Sequence, residues 1–151
     1  MRDRQRLVRQ AGTATLILPA CLLTGAAPPD RTDVHVTVTG LRNMKGVIRV
    51  CMTSKAKGFP NSCADNRQVV NASDPVDLTF SNTAPGSYAI AVIHDENNNG
   101  KMDLAMGLMP REGFGFSRDA KVGMGPPSFK SAAFDVNGGT INQTIHMRYM
   151  L

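Results

Sequence analysis

Ser87-Tyr88-Ala89-Ile90-Ala91-Val92-Ile93-His94 is the stretch on which the fold turns. Tyr88, Ile90 and Val92 fall on one side of a two-residue repeat, and Ala89, Ala91 and Ile93 on the other. Successive side chains of a strand point to opposite faces, so a run apolar on both belongs in the middle of a sheet covered on both sides. A central strand needs neighbours, and the flanking sequence supplies them. Val34, Val36 and Val38 alternate with His35, Thr37 and Thr39 until Gly40. Val47 to Met52 reads as a second strand, with Asn43-Met44-Lys45-Gly46 as a hairpin turn before it. Arg67 to Asn71 is a weak strand, and Val76, Leu78 and Phe80 mark a clearer one. Downstream, Ala132 to Val136 and Thr140 to Tyr149 complete the set, with Asn137-Gly138-Gly139 as a turn between them.

No segment beyond the N-terminus carries a helical stripe. About seven short strands in about 120 residues, punctuated by Gly, Pro and Asn, predict an all-β fold, a Greek-key β-sandwich of immunoglobulin-like or prealbumin-like type. Pro85-Gly86-Ser87-Tyr88 resembles the corner at which a tyrosine hydroxyl ties down a loop in immunoglobulin-like domains. Tyr88 as plain core is the alternative.

The central strand runs into His94-Asp95-Glu96-Asn97-Asn98-Asn99-Gly100-Lys101-Met102-Asp103. Asp95, Asn97, Asn99 and Asp103 occupy places 1, 3, 5 and 9 of a calcium loop, Gly100 place 6, and Lys101 offers a backbone carbonyl at place 7. Place 12, normally a bidentate Glu, is Met106, so the ligand set is incomplete. Two readings stand here: a weak calcium site, and a metal-free turn in which Asn and Asp bond their own backbone. The following segment, Leu104 to Pro127, is too long for an ordinary hairpin loop and rich in Gly and Met. Phe114 and Phe116 within it are read as a cap on one end of the sandwich, with ligand contact as the alternative.

The N-terminus reads as an export signal over residues 1–27. Arg2, Arg4, Arg6 and Arg9 form a basic region, Ala11 to Leu23 an apolar one, and Thr24-Gly25-Ala26-Ala27 offers small residues for cleavage. The remaining chain, 28–151, is expected to be one exported domain, periplasmic or extracellular, with no transmembrane segment after processing. Leu18-Pro19-Ala20-Cys21 provides an alternative, a lipobox that would leave the protein anchored through Cys21. Export makes Cys51 and Cys63 a disulfide pair closing a short loop. Cys51 alternates with Ile48, Val50 and Met52, so it lies on the other face with Arg49, within reach of a following loop.

The chain has 17 basic and 12 acidic residues, net +5. Residues 1–27 hold four Arg and one Asp, leaving 13 basic and 11 acidic side chains beyond them, net +2. No basic cluster there tracks a phosphate backbone, which argues against nucleic acid as partner. Catalytic patterns are missing too: there is no Gly-x-Ser-x-Gly, no His-Glu-x-x-His and no phosphate-cradling glycine loop. His94 beside Asp95 is the one suggestive pair, but adjacent strand residues diverge, and His94 reads as a half-buried strand-end residue. A non-enzyme is expected.

Several motifs in order resemble a secreted bacterial family, domain of unknown function 2141. They are Val36-Thr37-Val38-Thr39-Gly40-Leu41-Arg42 with Gly46-Val47-Ile48-Arg49-Val50, Gly58-Phe59-Pro60, and Pro85 to Val92. His94 to Asn97 with Asn99 to Asp103, Gly113-Phe114-Gly115-Phe116-Ser117 and Gly125-Pro126-Pro127-Ser128-Phe129 follow. The resemblance implies an exported single-domain β-sandwich and no particular activity. The expectation drawn from all of this is a non-catalytic envelope protein that binds or scaffolds, its partner an envelope protein or a small ligand. A small-ligand carrier or sensor using residues 104–127 is the alternative.

Overall fold

The computed structural model describes residues 30–63, 66–123 and 125–151; the signal segment 1–27 and Cys21 lie outside them. Ten strands follow one another among the described residues: β1 (Thr32–Thr39), β2 (Val47–Thr53), β3 (Asn66–Asn71), β4 (Val76–Thr83), β5 (Gly86–Asp95), β6 (Leu104–Ala105), β7 (Met109–Pro110), β8 (Gly113–Phe116), β9 (Phe134–Val136) and β10 (Ile141–His146). They form a three-stranded sheet, β10-β1-β4, and a larger sheet, β3-β2-β5-β8, with β9 also on β5. β6 and β7 make a separate two-stranded hairpin. The fold is all-β and sandwich-like, as the alternation predicts.

The links differ from the hairpins expected. β1 pairs with β4 and, in parallel, with β10, while β2 pairs with β3 and β5, so Asn43–Gly46 carries the chain from one sheet to the other. Asn137-Gly138-Gly139 does the same between β9 and β10. Each strand has an apolar face to cover, and facing sheets cover it better than a two-stranded ribbon can. Gly46 has φ +69, and a Cβ there would lie 2.1 Å from the Asp95 carbonyl, so the crossing presses directly on the end of β5. The strand expected from Ala132 begins only at Phe134, because residues 129–132 form a helical turn, α1, capped by Ser128.

β5 is central, flanked by β2 on one side and by β8 and β9 on the other. Ile90 and Val92 enter the core between the sheets together with Val34, Val36, Val38, Ile48, Val50, Met52 and Ile145. Ala89 and Ala91, on the opposite face, pack under a second, smaller core containing Phe114, Phe116, Ala120 and Ala132. The two-sided apolarity of the strand thus has two separate destinations. Tyr88 donates its hydroxyl hydrogen to the Ala84 carbonyl at 3.1 Å, the tie that the Pro85–Tyr88 corner resembles.

Gly113-Phe114-Gly115-Phe116, placed by sequence in a long loop, is strand β8. Its two faces are opposites in size. Phe114 and Phe116 lie in the outer core, and the glycines leave a bare face against which the C-terminal segment packs. A Cβ on Gly113 would sit 2.4 Å from the Tyr149 ring, and one on Gly115 would sit 2.6 Å from Ile145. Phe114 and Arg148 exchange backbone hydrogen bonds at 3.0 and 2.8 Å, fastening the chain beyond β10 to this edge. Cys51 and Cys63 are bonded, with Cα atoms 5.8 Å apart, closing the loop between β2 and β3.

Candidate functional site

β5 delivers His94 and Asp95 to opposite faces, and their partners show how far they part. His94 is fully buried rather than half-buried, because it continues the inner face of Ile90 and Val92. Its Nδ1 lies 2.8 Å from the Tyr149 hydroxyl and its Nε2 lies 2.8 Å from the Lys45 carbonyl. A carbonyl only accepts, so Nε2 carries a proton, and with Nδ1 on the Tyr149 hydroxyl both ring nitrogens are satisfied. His35 and His146 lie on the polar face of the smaller sheet, beside Thr79 and Thr39.

Asp95, also fully buried, turns its carboxylate into the loop that it opens. Oδ2 accepts from Arg49 Nε at 2.5 Å and from the Gly100 N–H at 2.8 Å, and Oδ1 accepts from the Asn99 N–H at 3.0 Å. Burial pushes the Asp95 carboxyl up, but the Arg49 hydrogen bond, the two N–H groups and the Arg49 charge outweigh it, and the group is held below its ordinary range. Gly100 (φ +85) and Asn98 (φ +56) adopt the left-handed backbone that bends the loop around this carboxylate. Both residue types tolerate it.

The other predicted ligands form a second knot. Asp103 accepts from Asn97 Nδ2 at 2.7 Å and from Asn99 Nδ2 at 3.0 Å. The side-chain oxygens of Asn97 and Asn99 accept the N–H groups of Asn99 and Lys101, at 3.1 and 3.0 Å. Asn97, Asn99 and Asp103 are therefore drawn together, while Asp95 joins them through the backbone of Asn99. Lys101 takes part through its N–H. Place 12 has left the loop: Met106 stands at the tip of the β6–β7 hairpin, 98% exposed. Among the described residues, no group of three or more His, Cys, Asp or Glu is placed to hold a metal ion.

Glu112 is a loop residue that the motif spacing does not mark. It is buried, and its two oxygens accept the N–H groups of Glu96 and Asp103 at 3.2 and 3.1 Å, so one side chain clamps both ends of the loop. Burial raises its pKa, and the Asp95 and Asp103 charges add to the rise against the lowering effect of the two N–H groups. The available signal was its position: the only acid between Asp103 and Asp119, directly before the Gly-Phe-Gly-Phe alternation. Glu96, held by Asn43 at 2.9 Å and by Arg42 at 2.6 Å, fixes the outer wall. Burial raises the Glu96 pKa, but these donors prevail and lower it.

Phe114 and Phe116 occupy the outer core, where Phe116 meets Phe59 edge-on at 6.1 Å and Phe59 meets Phe129 at 5.9 Å. Phe114 also borders an open depression with Lys121, Val122, Arg148, Tyr149 and Met150. No described helix is long and apolar enough to cross a membrane.

No curated protein and no solved structure matches the chain. The family model for an uncharacterized protein conserved in bacteria, domain of unknown function 2141, matches residues 36–144, which span the sandwich from β1 into β10 and include the whole Asp95–Asp103 loop. The chain belongs to this family.

Proposed function

We propose that the chain is an exported, non-catalytic β-sandwich module of the cell envelope that binds or scaffolds through its loop end, residues 95–112, and that its Asp95–Asp103 loop takes up calcium weakly. The observation that carries this reading is the polar network itself. Asp95, Asn97, Asn99 and Glu112 accept backbone N–H groups of the loop while Arg49 and Asp103 hold those side chains in place, a degree of order that a solvent-exposed turn does not need for folding alone. The histidines give no support to catalysis, since each is engaged in a structural hydrogen bond. The Cys51–Cys63 bond supports an oxidising compartment.

Weak calcium binding follows from the charges. Asp95 is already neutralised by Arg49, Glu112 faces backbone N–H groups, and only Asp103 brings an unpaired charge. Affinity in such loops follows ligand charge and rigidity, so a Kd of about 0.1–1 mM is expected. An ion entering the knot would replace the amide donors that now face Asp103. Ten millimolar calcium should then stabilise the fold by roughly 1.5–3 kcal/mol through mass action. Thermal melts with calcium and with chelator test this. A calcium response in the wild type that is lost in Asp103→Ala supports the site; melts indifferent to calcium leave a metal-free turn. N-terminal sequencing of the periplasmic protein tests export: a start near Ala27 or Pro28 supports it, and a lipid-blocked Cys21 makes the protein an anchored one. The carrier reading draws on the depression beside Phe114, but Phe116 belongs to the outer core and Met106 and Met109 are exposed on the hairpin.

A further inference from the structure

Four large apolar side chains exposed among the described residues fall within six positions: Leu104, Met106, Leu108 and Met109. Met106 is 98% exposed and Leu108 84% exposed, at the turn of the β6–β7 hairpin. Neither core includes them. The base of the hairpin is nevertheless well fastened. Arg111 N–H donates to the Asp103 carbonyl at 2.9 Å, Leu108 N–H to the Ala105 carbonyl at 3.1 Å, and Arg42 Nη2 to the Arg111 carbonyl at 2.9 Å. A rigid stem thus presents an apolar tip to water. Nothing in the folding of the sandwich calls for this, and exposed apolar patches mark contact surfaces.

Exposed cations flank the tip. Lys101 precedes the hairpin, Arg111 follows it, and Lys45 adjoins the Gly46 crossing beneath the loop; all three are exposed, and none has a side-chain partner among the described residues. The neighbouring acids are engaged: Asp95 by Arg49, Glu96 by Arg42, Asp103 by Asn97 and Asn99, while Glu112 is buried. Arg42, Lys45, Arg49, Lys101 and Arg111 stand against Asp95, Glu96, Asp103 and Glu112, so this end keeps a net charge of +1, with its exposed unpaired cations on either side of the tip.

From this placement we infer that the β6–β7 hairpin docks on an anionic lipid surface, its Met106–Leu108 tip entering the headgroup boundary and Lys101, Arg111 and Lys45 lying at the level of the phosphates. Apolar area buried in the boundary and basic groups attracted to anionic lipid act together in such association. A narrow convex tip of flexible Met and Leu side chains suits a soft phase; a protein partner would need a groove shaped to it. The inference names a partner for the loop end proposed above as the contact surface. It does not depend on calcium, and its test is run with chelator so that failure of the cation site leaves it standing.

The chain has no tryptophan, so L108W places a single indole at the tip and reports on that position alone, whatever residues 1–29 contribute. The probes are vesicles of phosphatidylcholine, and of phosphatidylcholine mixed with phosphatidylglycerol. The expected result is a blue-shifted emission, shielded from aqueous iodide, with the mixed vesicles only and weakened by high salt. Met106→Asp in the L108W background should weaken this association about tenfold or more. Lys101→Gln with Arg111→Gln should reduce its salt dependence. An indole that stays fully quenchable with mixed vesicles overturns the proposal. So does a blue shift that grows with protein concentration and needs no vesicles, which would make the tip a contact between two copies of this chain.

Discussion

Removing the Asp95 carboxylate is the sharpest test of how the loop end is held. Asp95→Ala deletes three hydrogen bonds to a charged acceptor, from Arg49 at 2.5 Å, Gly100 at 2.8 Å and Asn99 at 3.0 Å. Hydrogen bonds to charged groups contribute about 1.5–3 kcal/mol each, and an unpaired half-buried Arg adds to the loss. The loop residues Asn97 to Gly100 are exposed, so water reaches the stranded Asn99 and Gly100 donors and those two bonds count at about 0.75 kcal/mol each, with the Arg49 bond at about 1.5 kcal/mol. About 3 kcal/mol is expected. For a domain of roughly 120 residues the unfolding entropy near the midpoint is about 0.25 kcal/mol/K, so Tm should fall by about 12 °C. Asp95→Asn keeps one acceptor and loses the charge, and should fall about half as far. The assay is calorimetric melting at neutral pH with chelator present, paired with hydrogen exchange at the Asn99 and Gly100 amides. A Tm for Asp95→Ala within about 2 °C of wild type, with those amides still protected, would show that the carboxylate does not hold the loop.

The pH dependence has a defined sign. Asp95 and Glu96, held below the ordinary carboxyl range, contribute stability that is full above the unfolded-chain pKa of about 4 and is lost as pH falls through their folded values. Glu112, raised, runs the other way and softens the loss, so Glu112→Gln should steepen the fall of Tm on acidification; a wild-type Tm unchanged between neutral pH and pH 3 contradicts this. Cys51→Ala opens a loop of 12-residue separation and should cost about 3 kcal/mol, read as a lower denaturant midpoint, and two free thiols by mass spectrometry of the unreduced protein would exclude the bond. Gly113→Ala sets a methyl 2.4 Å from the Tyr149 ring and should destabilise by about 1–3 kcal/mol, whereas the same change at Gly123, with nothing within 4 Å, should be near neutral.

Which parts of this were legible in the sequence follows from the range of each signal. Strand identity is local: the two-residue repeat placed β1, β2, β4 and β5 well, and the Asn- and Asp-rich run gave the loop. The assignment of strands to sheets is not local. Asn43–Gly46 and Asn137–Gly139 have hairpin composition but serve as crossings, because strand pairing depends on which faces must be covered at distance. The Gly-Phe-Gly-Phe strand was hidden by glycine's low strand propensity, although its alternation was plain. What selects glycine there is Tyr149 and Ile145, which follow it by about thirty residues or more. Glu112 escaped for the same reason, since its partners are backbone groups at Glu96 and Asp103. The expected loop of 104–127 concealed the apolar hairpin tip because hydrophobic side chains normally signal burial, and at Met106 and Leu108 they do not.

Residues 95–112 are proposed as a rigid working end whose Asp95–Asp103 loop takes up a hard cation weakly. Amide chemical shifts followed by NMR during a calcium titration test this most directly. Calcium bound in this loop should give saturable shifts with a Kd of about 0.1–1 mM, concentrated at Asn97, Asn99, Gly100, Lys101 and Asp103, with the β1 and β4 amides unmoved. Shifts that are absent at ten millimolar calcium, or spread evenly over the sandwich without saturating, would contradict it.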